Sequence, residues 1–264
     1  MRNLLIIVAV IFASAGRANG AYQERIIRHL MPQVTNIEAL PKLNSNWAFR
    51  VQDSSKKFYF VKVYNQSEEK WFLRLEDIGF TKFFLSRHEA SSSALANFIS
   101  SGLVPKGEVL ENVIVYPFQE IDKAKTSQIF PQTYPEHHFV NVYHKLNSVQ
   151  RRDLFLNMLA DMVLMNPDSH SMQFAITKEG RLVGFDKGRS YFDVFQSAPL
   201  THIEMPDNFL SKSTIYRDFI AELKNDPKEL KLILNDSLVQ ESFEKIASLD
   251  QKVERSRVEK LLEP

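Results

Sequence analysis

A change of hydrophobic period near residue 120 constrains this chain more than any other feature. Upstream of it, short runs rich in β-branched and aromatic residues carry the pattern of strands; downstream, apolar residues recur every three or four positions, the spacing of amphipathic helices. The chain therefore reads as α+β, with a β-rich first part and a mainly helical second part.

In the first part, Ile26, Ile27, Leu30 and Met31 predict a short amphipathic helix over residues 21–33. Trp47 to Val51 and Lys57 to Tyr64 then read as strands separated by the polar turn Asp53-Ser-Ser-Lys56, which predicts an antiparallel hairpin. A helix follows over 86–100, with Ala90, Ala94, Leu95 and Phe98 on one face and Gly102 and Pro105 closing it. Further strands are expected at 107–110 and 113–117. Beyond Glu120 a polar, proline-containing stretch runs to about Pro135. Leu154, Phe155, Met158, Leu159, Met162 and Val163 then give residues 149–165 the broad apolar face of a well-buried helix. The turn Asn166-Pro-Asp168 leads into strands at 174–177 and 182–185, joined by Lys178-Glu-Gly-Arg181, and residues 211–262 read as several helices.

Composition removes whole classes of chemistry. The chain has no cysteine, which excludes disulfide scaffolds, iron–sulfur clusters, cysteine nucleophiles and cysteine zinc sites. Lys plus Arg numbers 33 against 32 for Asp plus Glu, so no excess of positive charge argues for nucleic acid as a partner. Catalysis is left to carboxylates, histidine, lysine and hydroxyls. At the N-terminus, Arg2, the apolar run Leu4 to Ala13 and the small residues Ala13-Ser-Ala-Gly16 and Ala18-Asn-Gly-Ala21 read as an export signal over residues 1–20. Cleavage is expected before Gly16 or Ala21, the alternative being a retained anchor or a buried helix. The run is too short for a bilayer, which needs roughly 20 apolar residues. A mature chain that is secreted or periplasmic, with no membrane span, is the expectation.

The segment Asn166 to Gly188 carries the chemistry. Asp168 stands in a turn after a buried helix, Gln173 follows, then a hairpin, then Asp186 before a glycine. A tight hairpin brings its ends together, so Gln173 and Asp186 are expected side by side at one rim. Two oxygen donors beside a further carboxylate suit Mg²⁺, which takes a few protein oxygens and completes its shell with phosphate and water.

This segment resembles the catalytic core of the protein-kinase-like superfamily, most closely the phosphatidylinositol 3-/4-kinase-like branch, with its Asp-x-His-x-x-Asn loop, hairpin and Asp-Phe-Gly or Asp-His-Gly motif. Asp168-Ser-His170-Ser-Met-Gln173 matches the first and Asp186-Lys-Gly188 the second. The resemblance implies that Asp168 acts on the acceptor hydroxyl, His170 organises the loop, and Gln173 and Asp186 hold Mg²⁺ (or Mn²⁺) on ATP. Upstream, Tyr59-Phe-Val-Lys62 resembles the strand with the phosphate-binding lysine. Glu89, in a helix start similar to that of lipid-kinase-like and HipA-like kinases, resembles its ion-pair partner, and Val115 to Glu120, including Phe118 and Gln119, resembles the adenine-binding hinge.

The resemblance implies a two-lobed fold, with a small lobe over 21–117 and a large one over 118–264, and an ATP-dependent kinase with a protein as the favoured acceptor. A lipid or small-molecule kinase is the alternative acceptor class. Two departures stand against the family pattern. None of the eight glycines lies between residues 21 and 78, so Asn44 and Ser45 occupy the phosphate loop in place of glycines. Gln173 replaces the usual Asn, which keeps the carbonyl oxygen but lengthens the arm. Both favour a pseudokinase, a binding module on the same fold, as the alternative from another class. Each residue also has a plainer use: Lys62 as a solvated strand residue, Glu89 as a first-turn acid on a helix, Asp168 as a helix or turn cap. His137, His138 and His144 lack a metal-binding spacing and read as surface histidines.

Overall fold

The computed structural model describes residues 20–40, 47–64, 84–131, 133, 140–164, 166, 169–188 and 213–249. The export segment, Asn44, Ser45, His137, His138 and Asp168 lie outside the described residues. The structure is α+β, with one five-stranded antiparallel sheet, a two-stranded hairpin and several helices. Contacts divide the chain into two compact units, one of residues up to Arg87 with Glu108–Phe118, the other of His88–Gly107 with Gln119 onward. The sequence divides at 117; by contacts the division falls after Phe118, and most of the helix expected over 86–100 belongs to the second unit.

In the first unit, helix α1 (residues 20–30) precedes strands β1 (Val34–Ala39), β2 (Trp47–Asp53), β3 (Phe58–Val63), β4 (Glu108–Leu110) and β5 (Val113–Pro117), paired in the order β1-β2-β3-β5-β4. Period-two alternation decides the faces. Phe49 and Val51 of β2, Val61 and Val63 of β3, and Val113 and Val115 of β5 join Ile27 and Met31 in one core. Arg50, Phe60 and Lys62 take the other face, where Lys62 pairs in register with Ala48 and Ile114. The β2–β3 turn is held by the Asp53 carboxylate, which accepts from Ser55 Oγ at 2.7 Å, Lys57 N at 2.9 Å and the Tyr59 hydroxyl at 3.0 Å. These hydrogen bonds, that of Ser55 foremost, hold the Asp53 carboxyl below the usual carboxylate range.

Strand β1 has no counterpart among the expected strands. Four of its six residues are exposed and only Val34 is buried, so this edge strand lacks the alternation that announces a half-buried one.

The second unit has its own core, built on helix α4 (Ser148–Val163) after α2 (Phe84–Ile99) and the short α3 (Lys123–Ile129). Helix α4 starts at a reciprocal capping box: the Asn147 side chain accepts from Gln150 N, and Asn147 N donates to Gln150 Oε1. Strands β6 (Phe174–Ile176) and β7 (Leu182–Gly184) form the expected hairpin. Helices α5 (Thr214–Asn225), α6 (Pro227–Leu234) and α7 (Ser237–Ser248) complete the unit. Helix α3 falls in the stretch read as irregular, because only Thr126 and Ile129 of its seven residues are buried and no periodic face develops. Among the described residues no helix is long and apolar enough to cross a membrane.

A polar stripe on α4 sets where the hairpin lies. Asp153, Asn157 and Asp161 recur every four residues on one face and are fully buried. Asp153 accepts from Arg181 Nε at 2.8 Å and from Leu182 N at 3.0 Å, which ties the hairpin turn to the helix. One turn on, Asn157 lies so close to β7 that a Cβ at Gly184 would stand 2.2 Å from Asn157 Oδ1. The Asn157 amide cannot swing aside freely, since its Nδ2 donates to Asp153 O at 2.9 Å. Gly184→Ala is therefore expected to lower stability by ~1–3 kcal/mol, the cost of overpacking a filled interior. Thermal unfolding checks this, and Asn157→Ala added to Gly184→Ala should recover part of the loss.

Candidate functional site

The site is built outward from the open end of the β6–β7 hairpin. Leading into β6, residues Ser171–Gln173 form a single 3₁₀ turn in which Gln173 N donates to His170 O at 2.9 Å. Phe174 pairs with Gly184, and Phe185 N donates to Gln173 O at 2.8 Å, which extends the ladder by one pair. Gln173 therefore faces Phe185, and Asp186 is the next residue along the same rim. Gln173, which is buried, and Asp186, which is half-buried, stand thirteen positions apart and are brought together as the hairpin argument expects.

Asp186 has φ = +54°, in the left-handed region. Of the described non-glycine residues with positive φ, Lys56 and Glu111 sit in strand turns and Ser101 at a helix end, where such a conformation closes a turn. Asp186 lies in the irregular chain beyond β7, where the left-handed backbone redirects the carboxylate out of the strand path. Asp tolerates this conformation better than most residues, and backbone strain of this kind is concentrated at functional sites.

Glu89, from the first half of α2, is only 2% exposed. A Cβ built on Gly188 would stand 3.0 Å from Glu89 Oε2 and 3.6 Å from Asp186 Oδ1, so the two carboxylates lie beside the same glycine. Glycine at 188 leaves room for this approach, and any side chain there would displace one carboxylate. The sequence offered Lys62 as the partner of Glu89. Within the second unit, its neighbours are Asp186 and Gly188.

Lys62 belongs to the first unit, on the face of β3 opposite the core, with its Nζ 5.2 Å from the Tyr64 ring centroid. Phe118 ends that unit. Its ring centroid is 6.1 Å from that of Phe58, and the Arg50 guanidinium lies 4.1 Å from the Phe58 ring and 5.1 Å from the Phe118 ring. Gln119 begins the longer of the two stretches of the second unit and is half-buried.

Sequence reasoning missed the polar cluster beneath this rim. Asp161, the last member of the α4 stripe, accepts from Lys187 Nζ at 2.8 Å on Oδ1. Its Oδ2 accepts from the Tyr216 hydroxyl and Ser169 Oγ, each at 2.6 Å, and Asn166 Nδ2 reaches Oδ1 at 3.1 Å. Asp161, Lys187, Tyr216 and Asn166 are all 0% exposed. Burial, followed by the charge of Asp161, pushes the Tyr216 phenol well above its ordinary range, so it remains a donor. The signal was present in the sequence as an acid among Met158, Leu159, Met162 and Val163, four residues after Asn157 and eight after Asp153.

Chemically, the rim offers two carboxylates and an amide, all hard oxygen-bearing groups of the kind that suit Mg²⁺ or Mn²⁺ rather than a softer ion. Among the described residues no three His, Asp or Glu side chains gather into a site that would cage a metal by themselves. Comparison with protein-family models and with curated proteins returns no match for this chain.

Proposed function

We propose that the chain is an ATP-dependent phosphotransferase with a two-lobed kinase-like fold, acting on a hydroxyl of a protein substrate. The observation that carries this reading is the adjacency of Gln173 and Asp186 at the rim of one hairpin, where Asp186 holds a left-handed backbone and Glu89, from a distant part of the sequence, lies beside the same glycine as Asp186. Supporting it, Lys62 stands on the third strand of an antiparallel sheet and Glu89 on the helix that follows, the same elements that carry the nucleotide lysine and its glutamate in protein kinases.

On this reading Asp186 and Gln173 supply the oxygens that hold Mg²⁺ or Mn²⁺, with Glu89 beside them. The ion's chemistry is the neutralisation of charge on the phosphates. Lys62 binds the phosphates, Asn44 and Ser45 donate to them, and Phe118 and Gln119 border the adenine. Asp168 orients the acceptor hydroxyl and receives its proton, while His170 holds the loop through its backbone. Incubation with labelled ATP and Mg²⁺ or Mn²⁺, followed by mass spectrometry of the protein and of candidate acceptors, tests the reading. Label on a hydroxyl side chain supports it; nucleotide binding without transfer moves the protein to the binding-module class.

That second reading has its own observation in Gln173, whose arm is one methylene longer than the Asn of the kinase motif. Gln173→Asn separates the two. An active kinase whose loop is adjusted to Gln should lose activity about tenfold or more on shortening. A binding module crippled by the longer arm should gain transfer it did not have.

Export is proposed for the same chain, on the strength of Arg2, the Leu4 to Ala13 run and the small residues after it. N-terminal sequencing of the protein from its native host should return Gly16 or Ala21; Met1 on a protein confined to the cytoplasm would refute export.

A further inference from the structure

We infer that the buried Lys187–Asp161 pair is a positioning lock that holds both halves of the proposed site in register, an inference that rests on the kinase reading for its consequence but not for its geometry. The segment on each side of the rim contributes a residue to one carboxylate. Lys187 comes directly after Asp186 and reaches Asp161 at 2.8 Å; Ser169 comes directly after Asp168 and reaches the same carboxylate at 2.6 Å. Asn166 binds it from two residues before Asp168, and Tyr216 of α5 closes the cluster from another side. Asp161 thus ties the chain on both sides of Asp168 to the chain beyond Asp186.

The physical case for a lock lies in burial. A lysine with no exposed surface is costly to desolvate, and a buried ion pair is often no more stabilising than apolar residues of the same volume. Lys187 is fully buried all the same, with a bidentate approach to Asp161 at 2.8 and 2.9 Å. Geometry is what the pair supplies: it pins the backbone beyond Asp186, where φ is +54°, against a helix already indexed to the hairpin by Asp153 and Asn157. The stripe on α4 meets residues 181 and 182, then 184, then 187, so the last contact sets where Asp186 is presented. Lys187 and Asp161 are positioning residues: they act on substrate only through Asp186, Gln173 and Asp168.

The test compares the wild-type protein with the double variant Asp161→Asn/Lys187→Met, which removes both charges and leaves no lone buried ion. Three quantities are read: thermal stability, amide hydrogen exchange segment by segment, and the Mg²⁺ concentration that half-saturates binding of a fluorescent ATP analogue. The expected result is exchange at least about tenfold faster in both 169–173 and 185–188, unchanged exchange in the turn at 178–182 held by Asp153, and a Mg²⁺ requirement raised at least about tenfold. A folded double variant with wild-type exchange in both segments would overturn the lock, as would loosening of one segment alone. Tyr216→Phe, which removes one donor and keeps the ring packed, carries the same comparison if the double variant does not fold: exchange in the two segments must rise together. Should wild-type protein bind no ATP analogue at any Mg²⁺ concentration, the kinase reading falls, and the exchange data still decide the lock.

Discussion

Asp186→Ala is expected to abolish phosphoryl transfer and to weaken Mg²⁺-dependent nucleotide binding together. In the proposed kinase, the Asp186 carboxylate is the charged ligand at the rim, and its loss leaves phosphate charge poorly neutralised in both the bound and the reacting state. Charge stabilisation by a metal ion is worth several kcal/mol in the transition state, and each about 1.4 kcal/mol is a factor of ten, so the rate should fall by roughly 10³ or more. The left-handed backbone at Asp186 sharpens the prediction. Asp186→Asn keeps the small polar side chain that tolerates φ = +54° and should fold as the parent does, while losing the charge. Equal losses in the two variants assign the effect to the carboxylate; activity retained by the Asn variant would assign it to the backbone. Isothermal titration with ATP, with and without Mg²⁺, and a single-turnover transfer assay give the two quantities.

Asp168→Asn should separate binding from chemistry. Its proposed work is on the acceptor hydroxyl, so nucleotide affinity should stay within about twofold of the parent while turnover falls by roughly 10²–10⁴, the range for loss of a positioned general base. A parallel fall in nucleotide affinity would move Asp168 to the metal. Full transfer by both Asp168→Asn and Asp186→Ala, in material free of other kinases, would remove the catalytic assignment altogether and leave the binding-module reading.

The contrast between these variants and Gly184→Ala shows how function and fold are separated in this chain. Gly184 touches no proposed substrate, yet its replacement drives a Cβ against Asn157 and threatens the strand that presents Asp186. A loss of activity there should track the loss of stability, whereas Asp186→Asn should lose activity at unchanged stability. Measured side by side, the two distinguish a scaffold from a site.

Periodic burial was legible in the sequence. Strands β2 and β3 alternate because one face packs on a core, β5 reads as a continuous apolar run because both of its faces are covered, and α4 repeats its apolar residues because most of its circumference is buried. The hairpin after α4, and with it the adjacency of Gln173 and Asp186, followed from two short apolar runs around a glycine-containing turn, a local signal that needs no distant contact. Strand β1 and helix α3 were not legible, since a largely exposed edge strand and a helix with two buried residues leave almost no hydrophobic period. Only the tertiary structure brought Glu89 beside Gly188, and only it gathered Lys187, Ser169, Asn166 and Tyr216 on Asp161. Asn166 and Ser169 lie within eight residues of Asp161, but Lys187, Tyr216 and the Glu89–Gly188 approach join distant stretches of chain, and the residue types, read singly, suit a solvated surface equally well. Burial makes the choice: a charge removed from water must find its partners, and which partners lie in reach is decided by how the elements pack rather than by any local pattern.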